Sequence, residues 1–136
     1  MTDHNRKITP FLMFTGRAQE ALDLYTEAFD DAEVLSLQLW GPGAAGKEGT
    51  VMNARLRIRD QVLIAFDSLP VHQFDFTPSL SLFVSCDSEA EIDRLFERLS
   101  DGGFVMMPLS TEYPFADKYA WLSDRFGVSW QLSLGG

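Results

Sequence analysis

The fold is indicated by residues 88–99, which read SEAEIDRLFERL. Four apolar residues recur there at the spacing of one helix face, namely Ile92, Leu95, Phe96 and Leu99. Four residues that lie 71 positions earlier form the same stripe, namely Ala21, Leu24, Tyr25 and Ala28. Ser88 and Glu91 make a capping box at the start of the second helix. The chain therefore contains an internal repeat, and each half carries one amphipathic helix.

Strands surround each helix in the same order. Residues 51–58 alternate cleanly between apolar and polar side chains, as expected of a strand that is buried on one face. The pattern predicts an α+β fold built from two tandem βαβββ modules, about 7–68 and about 78–134, within a single domain 1–136. We expect the modules to pair into one curved mixed sheet, with helices on the outer face and a concave inner face. A concave face is where a small molecule would bind.

Composition limits the function classes. The 136 residues carry a formal net charge of -9, which disfavours binding to nucleic acid or to an anionic membrane. The start of the chain is polar, and no apolar run reaches the roughly twenty residues that a membrane span requires. Cys86 is the single cysteine, so no intramolecular disulfide forms. These features predict a cytoplasmic protein, typical of the bacterial cytosol.

Three stretches carry a family resemblance: residues 51–56 running to 66–68, residues 76–84, and residues 121–132, which read WLSDRFGVSWQL. With the βαβββ repeat they resemble the vicinal oxygen chelate superfamily, which includes glyoxalase I, extradiol dioxygenases, and fosfomycin and bleomycin resistance proteins. More narrowly they are similar to the PhnB-like group, which is also named after 3-demethylubiquinone-9 3-methyltransferase. The resemblance covers nearly the whole chain and implies a glyoxalase-like fold and a homodimer.

The resemblance also implies where a divalent metal would bind. Members of the superfamily typically hold it with His or Gln, Glu, His and Glu. Carried over to this chain, those positions fall near Pro10, Asp67, Ser79 or Ser81, and Gln131. A histidine often stands in the PhnB-like group where this chain has Asn53. Asp67 and Gln131 are therefore only weak candidates, and we expect no obligatory metal and no other cofactor.

The two histidines, His4 and His72, lie in the predicted N-terminal tail and in the linker between the modules. Histidines in such segments are more often solvated surface groups than a metal pair. They do not change the expectation that no obligatory metal binds.

Strand parity predicts which side chains meet in the cavity. If Gln131 faces inward, Ser79 and Ser81 do so as well, and all three offer hydrogen bonds to a ligand. The alternative is that Gln131 only bonds neighbouring backbone or water. Further ligand-binding candidates on strands and at the cavity mouth are Asn53, Arg55, Trp40, Tyr113, Phe115, Tyr119 and Trp121.

Two interpretations are possible for each of three further features: Asp67, the two arginines of one strand, and Cys86. Asp67 ends an apolar strand, so it is either a general base with a raised pKa or a turn former. Arg55 and Arg57 share one strand face and either clamp an anionic ligand or balance nearby acids. Cys86 is either a nucleophile or a small buried hydrophobe.

These observations favour a protein that binds a small organic molecule without an obligatory metal. One alternative is a metal-dependent lyase, isomerase or dioxygenase-like enzyme that uses Asp67 and Gln131. Another is a resistance protein that sequesters a toxic planar compound. Residues 41–46 read GPGAAG and match Gly-x-Gly-x-x-Gly, but the pattern that follows them is a strand and not the helix that a dinucleotide-binding motif opens, so the residues do not predict a nucleotide or S-adenosylmethionine site.

Overall fold

Two helices and eight strands are present in the computed structural model, which describes residues 8–69 and 74–136. In chain order they are β1 (Phe11–Phe14), α1 (Ala18–Ala28), β2 (Ala32–Leu39), β3 (Val51–Ile58), β4 (Gln61–Asp67), β5 (Ser81–Cys86), α2 (Glu89–Ser100), β6 (Phe104–Ser110), β7 (Lys118–Ser123) and β8 (Ser129–Leu134). His4 and His72, which the sequence assigned to tail and linker, lie outside the described residues.

The internal repeat is confirmed. Moving α1 forward by 71 residues gives 89–99, which coincides with α2 to within one residue. The offset falls to 67 at the start of β3 and β7, because residues 40–50 separate β2 from β3 whereas only residues 111–117 separate β6 from β7. The two modules therefore match closely through their helices. They differ in the length of the next long loop, which is β2–β3 in the first module and β6–β7 in the second.

Each module forms its own four-stranded mixed sheet. The strand orders are β1-β4-β3-β2 and β5-β8-β7-β6, with β1 parallel to β4, β5 parallel to β8, and the other neighbours antiparallel. The chain divides into two compact units, residues 1–74 and 75–136. The α+β class with two tandem βαβββ modules is confirmed, and the assignment of both to a single domain stays a prediction.

In the first unit the apolar stripe of α1 packs on β2, β3 and β4. Leu22 and Tyr25 are each 1% exposed, and the alternate residues Ala54, Leu56 and Ala65 are buried beneath the helix. Asn53 and Arg55 take the opposite face of β3, as alternation along a strand requires. The packing of α1 thus determines which side chains of the sheet remain available for other contacts.

The second unit repeats this arrangement with a stronger helix start. Ser88 Oγ accepts a hydrogen bond from Glu91 N at 3.1 Å, and Glu91 Oε1 accepts one from Asp87 N at 2.7 Å. The predicted capping box is therefore present, with the glutamate reaching one residue further back than in the simplest form. Ile92, Leu95 and Leu99 of α2 are buried, and α2 packs on β7 and β8.

One strand begins later than its sequence pattern predicts. The pattern starts the fifth strand at Ser79, but β5 begins at Ser81. Pro78 lacks an N–H, and Leu80 N donates to Thr77 O at 3.4 Å, so residues 77–80 turn before the strand starts. Ser79 accordingly lies in a turn and not on the face of the sheet.

No helix in residues 8–69 or 74–136 is long and apolar enough to cross a membrane.

Candidate functional site

Polar and aromatic side chains cover the face of the second sheet that lies opposite α2. Leu122, Trp130 and Leu132 are buried on the α2 side. The alternate residues of β5, β8 and β7 occupy the other side, namely Ser81, Phe83, Ser129, Gln131, Ser133, Tyr119 and Trp121. We call these residues the Gln131 face. Its polar content is unusual for a sheet that is otherwise apolar, and it provides several hydrogen-bonding groups on one surface.

Gln131 is held in one orientation by a tyrosine on the neighbouring strand. Tyr119 Oη donates to Gln131 Oε1 at 2.6 Å. The amide oxygen is therefore engaged, while Gln131 Nε2 has no hydrogen-bond partner among the residues that the structure describes. Gln131 is half-buried. Its side chain is thus an oriented donor that can bind an acceptor atom of a ligand.

A second chain of hydrogen bonds crosses the same face. Trp121 Nε1 donates to Ser129 Oγ at 2.9 Å, and the hydroxyls of Ser129 and Ser81 are 2.6 Å apart. Trp121 lies directly opposite Gln131 in the β7–β8 register. The structure therefore brings together three predicted ligand-binding residues, Gln131, Ser81 and Trp121. Ser79, which was also predicted to bind the ligand, is exposed in the turn, where its hydroxyl bonds that of Thr77 at 2.8 Å.

An aromatic cluster borders this face. The rings of Tyr113 and Phe115 are stacked with centroids 5.4 Å apart, and Tyr119 meets both edge-on at 5.5 Å and 4.8 Å. Phe115 is 54% exposed, whereas Tyr119 is 5% exposed. Edge-to-face aromatic contacts of this kind stabilise a rigid wall against which a flat ligand can pack.

Burial raises the pKa of the Tyr119 hydroxyl above its ordinary value, and charge on Tyr113 raises it further. The phenol therefore stays protonated at neutral pH and keeps donating to Gln131. As the pH rises, Tyr119 ionises in the unfolded state before it ionises in the folded state. Its contribution to the free energy of unfolding is therefore fully present below the unfolded pKa of about 10, and it is lost as the pH rises from there through the folded pKa. We expect Tyr119→Phe to flatten this decline, as measured by urea unfolding at pH values below and above about 10. An equally steep decline in Tyr119→Phe would assign the effect to other groups.

Asp67 lies at the end of β4 and is 1% exposed. Its Oδ1 accepts from Gly16 N at 2.8 Å and from Ala18 N at 2.9 Å, and its Oδ2 accepts from Val51 N at 2.8 Å. The carboxylate thus joins the start of α1 to the start of β3. The carboxylate therefore connects segments 16 to 51 positions apart, a structural role that differs from the predicted local turn former, and three of its four lone-pair directions are in use.

A cavity of about 470 Å³ adjoins Asp67 within the first unit. Its walls come from the β1–α1 turn, the β2–β3 loop and the end of β4, namely Thr15, Gly16, Ala45, Gly46, Lys47, Thr50, Asp67, Ser68 and Leu69. The Trp40 indole packs against Gly46, where a side chain would overlap the ring. Trp40 Nε1 is buried without a hydrogen-bond partner in the described part of the chain.

The two arginines of β3 differ in their partners. Arg57 donates to Asp31 Oδ1 at 2.9 Å and to Glu33 Oε1 at 3.1 Å, which raises its pKa. The Arg55 side chain forms no ion pair or hydrogen bond with any residue in 8–69 or 74–136. Arg55 and Arg57 therefore do not form a two-arginine clamp, because the Arg57 guanidinium is already bonded to Asp31 and Glu33.

A family model described as 3-demethylubiquinone-9 3-methyltransferase matches residues 6–133. The chain belongs to this family. No functionally curated protein is similar enough in sequence to match it.

Solved structures agree with the family assignment. The chain is 46% identical to a PhnB protein from Bacillus cereus, with a TM-score of 0.91 over 96% of this chain and 100% of that one. It is 31% identical to protein PA1353 from Pseudomonas aeruginosa, with a TM-score of 0.84 over 95% and 97% of the two chains. A glyoxylase/bleomycin resistance protein/dioxygenase domain from Frankia sp. shares the fold at 19% identity, with a TM-score of 0.67 over 96% and 92%. The predicted membership of the PhnB-like group is confirmed, and the predicted glyoxalase-like fold is shared with the Frankia domain.

The residues of this family member do not fit the superfamily's metal. The Gln131 oxygen already accepts from Tyr119, and both Asp67 oxygens accept backbone N–H groups. No group of three or more His, Cys, Asp or Glu side chains in residues 8–69 and 74–136 is arranged to hold an ion. A transition-metal site needs several free N, O or S donors, which these two side chains do not supply.

Asp124 is a buried acid that the sequence interpretation did not single out. It is 2% exposed, its Oδ1 accepts from Phe126 N at 2.9 Å and Val128 N at 3.1 Å, and its Oδ2 accepts from Trp130 Nε1 at 2.9 Å. The signal that could have found it is the Asp-x-x-Gly turn six residues before a tryptophan. Through Trp130 it positions β8, and with it Gln131.

Proposed function

We propose that this member of the family binds a small organic molecule on the Gln131 face and needs no divalent metal to do so. The observation that carries the proposal is the hydrogen bond from Tyr119 to Gln131, which leaves Gln131 Nε2 oriented as a donor. The hydroxyls of Ser81 and Ser129 and the ring of Trp121 add hydrogen-bonding and stacking groups beside it. A molecule with a flat body and a carbonyl or ether oxygen has the matching chemistry.

The donor chemistry of Gln131 and Asp67 supports the proposal that no metal is needed. Gln131 and Asp67 each use their oxygens within their own unit. A metal would have to displace these hydrogen bonds before it could bind, and a buried N–H that loses its acceptor costs about 1–3 kcal/mol. Binding through hydrogen bonds and aromatic contacts involves no such loss.

We also place the protein in the cytoplasm as a homodimer. Support for a dimer comes from β2, an edge strand whose apolar side chains remain uncovered: Leu35, Leu37 and Leu39 are 44%, 42% and 49% exposed. Exposed apolar edge strands favour pairing with another strand.

Gln131→Leu is expected to reduce the enrichment of a small molecule from a bacterial metabolite extract. Leucine keeps the bulk of the side chain but removes the oriented donor, and one lost hydrogen bond weakens binding by about fivefold to tenfold. The measurement is equilibrium dialysis of the extract against wild type and variant, followed by mass spectrometry of the retained compounds. Ser79→Ala, in the exposed turn, is the matched control and should leave enrichment unchanged.

Compounds enriched equally by wild type and Gln131→Leu would contradict the proposed site. Native mass spectrometry of protein purified without chelator reports the metal content and the oligomer mass in one spectrum. One divalent ion per subunit would contradict the metal-free proposal and favour the metal-dependent lyase, isomerase or dioxygenase-like enzyme. A monomer mass would contradict the dimer.

A further inference from the structure

Most cations of this chain are paired. Of the nine Lys and Arg side chains within residues 8–69 and 74–136, seven have an ion pair, a hydrogen bond or a ring contact: Arg17, Arg57, Arg59, Arg94, Arg98, Lys118 and Arg125. Lys47 and Arg55 have none in this part of the chain. The charge of the Arg55 guanidinium is therefore not balanced by an acidic side chain within this part of the chain.

The surroundings of Arg55 are apolar on one side. Arg55 lies opposite Ile64 on β4, and Ile64 lies opposite Phe11 on β1, so the three form a row across the sheet on the face away from α1. Phe11 is 55% exposed, and its ring centroid is 5.7 Å from that of Phe66. The row therefore runs from an exposed aromatic surface to an unpaired guanidinium.

Neighbouring charge does not compensate Arg55. The acid nearest in the register on this face is Glu33, which lies opposite Arg57 and accepts its hydrogen bond at 3.1 Å. The residue directly opposite Arg55 on β2 is Ser36, which is neutral. Glu33 and Asp31 both form ion pairs with Arg57. Arg55 is therefore an exposed positive charge, without an acidic partner among the described residues, on the sheet face away from α1.

From this arrangement we infer that the Arg55 row binds the anionic group of a planar organic anion, with the ring of the ligand on Phe11 and Phe66. A guanidinium offers paired N–H donors that match a carboxylate or sulfonate, and aromatic side chains pack against a flat ring. The inference goes beyond the proposed function, because these residues all belong to the unit 1–74, whereas the Gln131 face belongs to the unit 75–136.

The test compares two fluorescent probes, anilinonaphthalene sulfonate and phenylnaphthylamine. The second has the same aromatic rings but lacks the sulfonate group and is neutral. Wild type should bind the sulfonate about fivefold more tightly than Arg55→Met does, as expected for an exposed ion pair. The neutral probe should bind both proteins alike, and added sodium chloride should weaken only the sulfonate. Arg55→Lys should retain part of the preference, because it keeps the charge but loses the planar fork.

Two controls separate this site from others. Arg17→Met makes the same change in net charge on the exposed start of α1 and should leave sulfonate binding unchanged. Lys47→Met tests the other unpaired cation, which lines the cavity. The inference would be overturned if Lys47→Met weakened sulfonate binding and Arg55→Met did not. Equal effects of Arg55→Met and Arg17→Met would also overturn it, as would failure of wild type to bind the sulfonate. None of these outcomes bears on Gln131, whose test uses a different variant.

Discussion

Asp67→Ala is expected to lower the free energy of unfolding by about 4 kcal/mol. The substitution removes the acceptor of three backbone N–H groups, those of Gly16, Ala18 and Val51, in a site where the aspartate is 1% exposed. Each buried donor that loses its partner costs about 1–3 kcal/mol. Urea unfolding monitored by circular dichroism measures the loss.

Two variants make this result specific. Asp67→Asn keeps the shape and one carbonyl oxygen, which can still accept from Gly16 and Ala18, so its loss should be about half as large. Asp60→Ala is the matched control, since Asp60 is exposed in the β3–β4 turn and its removal should change stability by less than about 0.5 kcal/mol. A loss below about 1 kcal/mol in Asp67→Ala would contradict the structural role.

The catalytic interpretation of Asp67 stays a prediction, and the structure defines what it requires. A general base needs a carboxylate oxygen that can approach the proton it removes. Only Oδ2 keeps a free lone-pair direction, because it accepts one N–H where Oδ1 accepts two. Any proton transfer would therefore involve Oδ2, on the side of Val51.

Asp124→Ala is expected to lower the free energy of unfolding by about 3 kcal/mol. It removes the acceptor of the Phe126 and Val128 N–H groups and of the buried Trp130 indole. Because Trp130 is 1% exposed, its fluorescence should shift when the indole N–H loses its partner. Urea unfolding monitored by that fluorescence measures both effects.

A double-mutant cycle isolates the indole contact. Trp130→Phe keeps an aromatic ring but removes the donor to Asp124 Oδ2, so the two substitutions should show a coupling energy of about 1–2 kcal/mol. Asp101→Ala, an exposed aspartate in the same unit, should change stability little. Strict additivity of Asp124→Ala and Trp130→Phe would show that the hydrogen bond does not contribute to stability.

Much of the fold could be predicted because its signals are local. The stripe Ile92, Leu95 and Leu99 is buried as predicted, and the alternation of β3 places Ala54 in the core and Arg55 outside it. A helical or strand period depends only on residues a few positions apart, so it can be recognised without the tertiary structure. The start of β5 was wrong by two residues, because the turn at Thr77 to Leu80 competes with the strand pattern.

The sequence by itself determined the repeated βαβββ order, the amphipathic helices and the parity of Gln131 with Ser81, since each follows from short-range periodicity. Only the tertiary structure decided which polar groups form hydrogen bonds or ion pairs, and with which partners. Gly16 and Asp67 meet across 51 positions because β1 runs parallel to β4. In the same way the partners of Arg57 lie 24 and 26 positions away, and no local pattern distinguishes it from Arg55. Hydrogen bonds and ion pairs act over a few ångströms, so their partners are set by chain packing and not by spacing along the sequence.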